Sequence, residues 1–292
     1  MSYNFSGEAV LRLEDERLLR GRGKYVDDMS LARQAHGVVL RSPHAHARIT
    51  RLETSAAVAL PGVLAVLTAA ELAADGIGEI PCGINIPSPD GTPSNTPGRP
   101  VLVSDKVRFV GDPVAFIIAE TRQAALDTAE AIDVRYAELP PVIDPAAALE
   151  SAAAQLHPSA PGNLCMDWQG GDRAAVDKLF AGAAKIVSLE TRNNRIAPSA
   201  IEPRVAIGEY DAGSGQYTLH VPSQGVHRIR SLLAGNVFKV PESRLRVMTP
   251  DVGGGFGVKL WLYPEHVMVL WAAQRLGRPV KWLGSRAESF LT

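Results

Sequence analysis

The chain has 292 residues, 46% of them hydrophobic and 21% charged, with a formal net charge of −1. That length suits about two domains of an ordinary globular protein. The charge balance supplies neither the basic excess that nucleic acid or an anionic membrane surface attracts nor a like-charge tail. Cys82 and Cys165 are the only cysteines. Two thiols cannot hold an iron–sulfur cluster, which takes four ligands, and the lack of a CxxC pair argues against a zinc site. A disulfide between them is one option; buried or incidental free thiols is the reading adopted. No apolar leader lies between Met1 and Asp15, and no apolar run reaches the ~18 residues of a membrane span. A cytoplasmic protein is expected.

In chain order, Gly21, Gly23 and Asp27-Asp28 mark turns, and residues 36–40 form a strand. Residues 42–46 loop into a second strand near Ile49. Residues 62–67 form an apolar strand, after which Thr68-Ala-Ala-Glu71 is a capping box, its hydroxyl and carboxylate each satisfying a free amide at a helix start. Residues 76–103, rich in Gly, Pro, Ser and Asn, read as a long loop. Residues 107–110 and 114–119 are strands around a Gly111-Asp112-Pro113 turn. Thr121 caps a helix through Leu126, Ala129 and Ile132, and Pro140-Pro141 ends the strand that follows. Residues 146–180, rich in Ala, Ser, Pro and Gly, read as a crossing between domains. Strands at 205–210 and 216–221 then flank a turn, and residues 224–238 are helical, with Val226, Ile229, Leu232 and Leu233 on one face. A strand at 245–248, a helix at 264–276 opened by Pro264 and stopped by Gly277, and a strand at 280–283 complete the chain.

Between the last of these elements lies Asp251-Val-Gly-Gly-Gly-Phe-Gly-Val-Lys259. Counted from Gly253 the sixth position is Val258, and from Gly255 it is Leu260, so the dinucleotide fingerprint fails. Lys259, set between Val258 and Leu260, also fails the phosphate-loop pattern. What remains is bare backbone whose amides can approach a polar ligand, with Phe256 as a flat wall. A purely structural hairpin or bulge is the alternative.

This segment resembles the signature loop of the molybdenum hydroxylases, the xanthine dehydrogenase/aldehyde oxidase family. Arg17-Leu-Leu-Arg-Gly-Arg-Gly-Lys-Tyr-Val-Asp-Asp28 and Val39-Leu-Arg-Ser-Pro-His-Ala-His-Ala-Arg48 are similar to early segments of that family's molybdopterin-binding subunit. Arg108-Phe-Val-Gly-Asp-Pro-Val-Ala115, Ile201-Glu-Pro-Arg204, Ser223-Gln-Gly-Val-His227 and Tyr263-Pro-Glu265 follow in family order, so the resemblance covers essentially the whole chain. It implies an α+β fold: an N-terminal α/β hammerhead domain at 12–145, a linker at 146–180, and the first part of a molybdopterin-binding α/β domain at 181–292. It implies that Gly254, Gly255, Phe256 and Gly257 lie against the molybdenum cofactor and that Gln224 donates a hydrogen bond to a molybdenum oxo ligand. A neutral amide suits that task, since it donates without adding charge or displacing a ligand.

Glu202 and Arg204 read either as a local ion pair or as a pair with one member facing the substrate funnel; a structural role is preferred. His44 and His46 could suggest a metal, but in the family their segment is structural. His266 opens no HExxH motif. The resemblance also implies oxidative hydroxylation of an aldehyde or N-heterocycle with water as the oxygen source. The cofactor is molybdopterin, with the dinucleotide form left open; [2Fe-2S] clusters and FAD sit on partner subunits. Leu260 stands where purine-oxidising members often carry Glu, which points to a less polar substrate. As the sequence ends at Thr292, the expectation is the first half of a split large subunit, inactive alone. A second molybdopterin-binding chain would then supply the catalytic glutamate. No residue here is assigned as catalytic or as a direct metal ligand. The alternatives are part of an aerobic carbon monoxide dehydrogenase-like enzyme, or a non-catalytic cofactor-assembly module or remnant.

Overall fold

The computed structural model describes residues 11–291; residues 1–10, most of the stretch lacking an apolar leader, lie outside it. In chain order the elements are α1 (Asp15–Leu19), β1 (Ala35–Arg41), β2 (Ala47–Glu53), α2 (Ser55–Val58), β3 (Val63–Leu67), α3 (Ala69–Ala74), β4 (Lys106–Val107), β5 (Pro113–Ala119), α4 (Arg122–Glu130) and β6 (Asp133–Glu138). They continue with α5 (Arg173–Ala181), β7 (Val205–Asp211), β8 (Gln216–His220), α6 (Val226–Leu232), β9 (Leu245–Met248), α7 (Pro264–Leu276), β10 (Val280–Leu283) and α8 (Arg286–Leu291). Helices and sheets are mixed as an α+β fold requires.

The strands form a seven-stranded sheet of order β3-β5-β1-β10-β7-β8-β9 and a three-stranded sheet of order β4-β2-β6. Strands from both sides of residues 146–180 therefore share the larger sheet. Its seam is β1 beside β10, parallel, with Gly37 opposite Trp282. Helix α7 covers this sheet, and Val267, Met268, Leu270 and Trp271 on it are fully buried. The helix can settle so closely because β7 carries Gly208 at the contact: a Cβ there would stand 2.4 Å from the backbone of Val269. Removing one of these side chains, for example by Leu270→Ala, costs about 2–5 kcal/mol through lost burial and the cavity left behind.

Local signals are realised where side chains satisfy helix ends. Glu71 accepts from the Thr68 amide at 2.8 Å while the Thr68 hydroxyl accepts from Ala70. Thr121 accepts from Ala124 at 3.1 Å, and Gly277 stops α7 at φ +62°. The segment expected as a strand at 107–110 departs from expectation. Only Lys106–Val107 is strand, and it pairs with β2 in the small sheet, whereas β5 belongs to the large one. The Asp112 carboxylate accepts from the Arg108 amide at 2.9 Å, so a side chain replaces the ladder while the chain passes between sheets. The expected linker ends inside α5, a helix whose start is capped by Asp172 accepting from Ala175 at 2.9 Å. Helix α6 is followed by a π-helical stretch at Leu233–Phe238. Cys82 and Cys165 are free, and both are exposed rather than buried. Among the described residues no helix is long and apolar enough to cross a membrane.

Candidate functional site

Strand β9 delivers the chain to the glycine-rich loop. Gly254, Phe256 and Gly257 take φ values of +96°, +50° and +86°. That region costs a residue with a Cβ on the order of 1 kcal/mol, yet Phe256 adopts it, and the residue is 73% exposed. The loop turns on itself through Val258 donating to Gly255 and Leu260 donating to Gly257. Two of its amides are satisfied from outside: Gly253 donates to Glu202 Oε2 at 2.8 Å and Gly257 donates to Gln224 Oε1 at 3.0 Å. Among the described residues, the amides of Gly254, Gly255 and Phe256 donate to nothing.

Gln224 stands just before α6, and its own amide donates to the Lys259 carbonyl at 2.9 Å. Its side chain lies across the bare backbone of Gly255, where a Cβ would come 2.4 Å from Gln224 Cδ. With Oε1 committed to Gly257, the Nε2 donor has no acceptor among the described residues. The structure thus brings Gln224, Gly254, Gly255, Phe256 and Gly257 together. Three free backbone donors and an exposed ring on the loop, with the Gln224 amide packed against it, make a donor set that fits a cofactor rich in acceptor oxygens, such as molybdopterin.

Two charge clamps hold the loop. At its end, Lys259 turns inward, its side chain only 1% exposed, and donates to Glu202 Oε2 at 2.8 Å. Glu202 Oε1 is buried without a partner among the described residues. At its beginning, Asp251 receives both guanidinium nitrogens of Arg17, one at 2.7 Å, and the Lys24 amide at 2.7 Å. The Arg17 hydrogen bonds, helped by the Lys24 amide, hold the Asp251 carboxyl well below the usual carboxylate range. The segment at 17–28 and the loop at 251–259, distant in sequence, are one unit in space.

Glu202 and Arg204 do not pair with each other. Arg204 lies 3.4 Å from Glu265 Oε2 and stacks over the Tyr263 ring at 4.0 Å. Glu265, 0% exposed at the start of α7, also receives Arg41 at 2.6 Å, and Arg41 reaches Glu288 at 2.9 Å. Burial pushes the Glu265 carboxyl up, but Arg204 and Arg41 outweigh it and hold it at about 2. Burial also pushes the neighbouring His266 down to about 4, a neutral core imidazole edge-on to Tyr263. Three of the quoted sequence segments, at 39–48, 201–204 and 263–265, meet in this cluster beneath the loop. His44 packs on Tyr136 with ring centroids 4.7 Å apart, and His46 Nδ1 lies 2.7 Å from the Pro140 carbonyl. The clamps at Arg17–Asp251 and Glu202–Lys259 were not foreseen. Their only signal in the sequence is opposite charge in separate segments, which pairs up only once the topology is known.

Residues 20–140 match the family model for the aldehyde oxidase and xanthine dehydrogenase a/b hammerhead domain, and residues 156–292 match the molybdopterin cofactor-binding domain. The chain is 37% identical, over 96% of its length, to the carbon monoxide dehydrogenase large chain of Hydrogenophaga pseudoflava. It is 35% identical, over 99% of its length, to the nicotine 6-hydroxylase large subunit of Paenarthrobacter nicotinovorans. It superposes on the crystal structure of quinoline 2-oxidoreductase from Pseudomonas putida 86 with a TM-score of 0.86 and 36% identity, covering 98% of this chain and 35% of that one. The chain spans about a third of the length of these two curated relatives, 35% and 34%.

Proposed function

Because the chain belongs to the xanthine dehydrogenase/aldehyde oxidase family, we propose that it forms one wall of the molybdopterin site in a molybdenum hydroxylase. Its parts are then the hammerhead domain at 12–145, the crossing segment at 146–180 and the first part of the molybdopterin-binding domain at 181–292. The observation that carries this reading is the single donor face made by the Gly254, Gly255 and Phe256 amides and Gln224 Nε2. When bound, the cofactor supplies a metal that accepts two electrons while oxygen from water passes to the substrate.

This chain's residues hold and orient. The loop amides donate to polar atoms of the pterin, and Gly255 leaves room for Gln224 to lie against the loop with Nε2 directed to a further acceptor on the cofactor. Phe256 provides an apolar face that excludes water beside it. Both candidate carboxylates are already engaged: Glu202 receives Lys259 and the Gly253 amide through Oε2, and Glu265 receives Arg41 and Arg204. The catalytic glutamate therefore comes from polypeptide beyond these residues, and the 292 residues alone turn nothing over. Electrons leave through [2Fe-2S] and FAD partner subunits, a reading supported by relatives that are themselves named as a large chain or large subunit.

The substrate proposed is an N-heterocycle or aldehyde. Relatives named for nicotine and quinoline support this, as does the apolar Leu260-Trp261 run beside the loop. Carbon monoxide oxidation is the second reading, favoured by the relative at 37% identity. The test is purification of the native complex, with molybdenum, pterin and flavin analysis, followed by turnover of N-heterocycles, aldehydes and carbon monoxide with an artificial electron acceptor. Bound pterin with heterocycle or aldehyde turnover is expected. Turnover of carbon monoxide alone would replace the first reading with the second, and a pterin-free complex would overturn both.

A further inference from the structure

We propose that Arg228 and Trp261 select the substrate, which is a flat heteroaromatic ring bearing a carboxylate. This rests on the function proposed above and narrows its substrate class. Trp261 stands two residues past Lys259, at the exit of the glycine-rich loop, and is 44% exposed. The Arg228 guanidinium lies over its ring, 4.6 Å from the centroid. Gly83, from the long loop at 76–103, closes on the same pair: a Cβ there would stand 2.3 Å from Arg228 Nη2 and 3.6 Å from Trp261 Cζ3. Arg228 is therefore seated against an indole and bare backbone.

The charge so placed has no carboxylate. Among the described residues no hydrogen bond or ion pair engages Arg228, whereas Arg230 on the same helix reaches Glu242 at 2.6 Å and Arg17 holds Asp251. Stacking occupies the flat face of a guanidinium and leaves its N–H edge, which lies in the ring-like plane, to donate. That edge is a fork matched to the two oxygens of a carboxylate.

Both residues border the open donor face. Leu260, between Lys259 and Trp261, packs on Gly225, where a Cβ would come 2.8 Å from Leu260 Cδ1. The neighbouring Gln224 donates its backbone amide to the Lys259 carbonyl at 2.9 Å. Arg228 follows Gln224 by four residues at the start of α6, about one turn or ~5.4 Å along the axis. A six-membered ring with one substituent spans about that distance, so a ring presented at Gln224 carries its carboxylate to Arg228. The indole gives the ring an apolar face to lie against, and Ile84, adjoining Gly83 and 46% exposed, adds apolar surface.

The experiment uses the purified native enzyme with an artificial electron acceptor. Pyridine and quinoline carboxylates are each assayed beside the uncharged carboxamide of the same ring. The preferred carboxylate is expected to exceed its carboxamide at least ~10-fold in kcat/KM, mainly through KM. Arg228→Gln should bring that ratio to about 1, and Arg228→Lys, which keeps the charge without the fork, should retain part of it. Trp261→Leu should raise KM for acid and amide alike. Apart from turnover, naphthalene-2-carboxylate should quench tryptophan fluorescence saturably, and Arg228→Gln should weaken its binding ~10-fold. If Arg228 only ties the loop at Gly83 to α6, its variants lose stability with the acid-to-amide ratio unmoved, and that result overturns the proposal. Equal kcat/KM for acid and amide in the native enzyme, unchanged KM values in Trp261→Leu, or turnover confined to aldehydes or carbon monoxide does the same. A pterin-loaded enzyme that treats acid and amide alike refutes this inference alone; an enzyme without pterin refutes the functional reading.

Discussion

Gly255→Ala isolates the contact on which the site is built. The backbone at Gly255 is open to any residue, so the effect is steric. The new Cβ would lie 2.4 Å from Gln224 Cδ, 2.7 Å from Oε1 and 2.8 Å from Cγ, where ordinary contact begins near 3.4 Å. The Gln224 amide must retreat by about 1 Å, and a displacement of that size in a positioning group costs on the order of 10²-fold in rate. The hydrogen bond from Gly257 to Gln224 Oε1 is lost with it, worth about 0.5–1.5 kcal/mol, so stability changes little. In the native complex kcat should fall roughly 100-fold, as it should for Gln224→Ala. The decisive assay is the double variant. Without the glutamine side chain, the three atoms nearest the new methyl are gone, and adding Gly255→Ala to Gln224→Ala should change kcat by no more than about 2-fold. Effects that multiply in the double variant, or a Gly255→Ala enzyme of normal rate, would refute the reasoning.

Glu265→Gln leaves two buried guanidinium groups without their shared carboxylate and should destabilise the native complex by about 3–5 kcal/mol in denaturant titrations. His266 sets a pH dependence whose sign follows from its depressed folded value, about 4 against 6.5 for the model imidazole. The unfolded chain takes up the proton first, so stability is complete above pH 6.5 and is lost as pH falls to about 4. His266→Phe should flatten the stability profile across that window, and an unchanged slope would assign it to other groups. The carboxyl of Glu265, held at about 2 against 4.5, contributes stability that is lost lower, as pH falls from 4.5 to about 2. Asp251→Asn frees the beginning of the glycine loop from Arg17. Amide exchange at residues 253–257 should speed up and pterin should dissociate faster in dilute denaturant; unchanged exchange would show that the Glu202 clamp suffices.

Much of the fold is legible in the sequence because its signals are local. The Thr68–Glu71 box, the Thr121 cap and the Pro264-to-Gly277 helix each depend on residues within a turn of one another, and each stands where expected. The pairing of β1 with β10 has no such signal, since nothing in either strand names a partner more than two hundred residues away. The strand expected at 107–110 failed for a related reason: the Asp112 side chain takes over the amide of Arg108, and apolar residues alone do not reveal that substitution. At the site, the loop and Gln224 come from the family resemblance, and the structure adds that they touch. Lys259, read only as the end of a motif, turns out to anchor the loop through Glu202, because burying an ammonium requires a carboxylate beside it.

The central claim is that the Gly254–Phe256 amides and Gln224 Nε2 hold the pterin. An experimental structure of the native, cofactor-loaded enzyme tests it most directly. The account predicts pterin polar atoms within hydrogen-bonding distance of those amides and a cofactor acceptor within reach of Gln224 Nε2. A cofactor seated elsewhere, with the loop amides bonded only to protein or solvent, would contradict it.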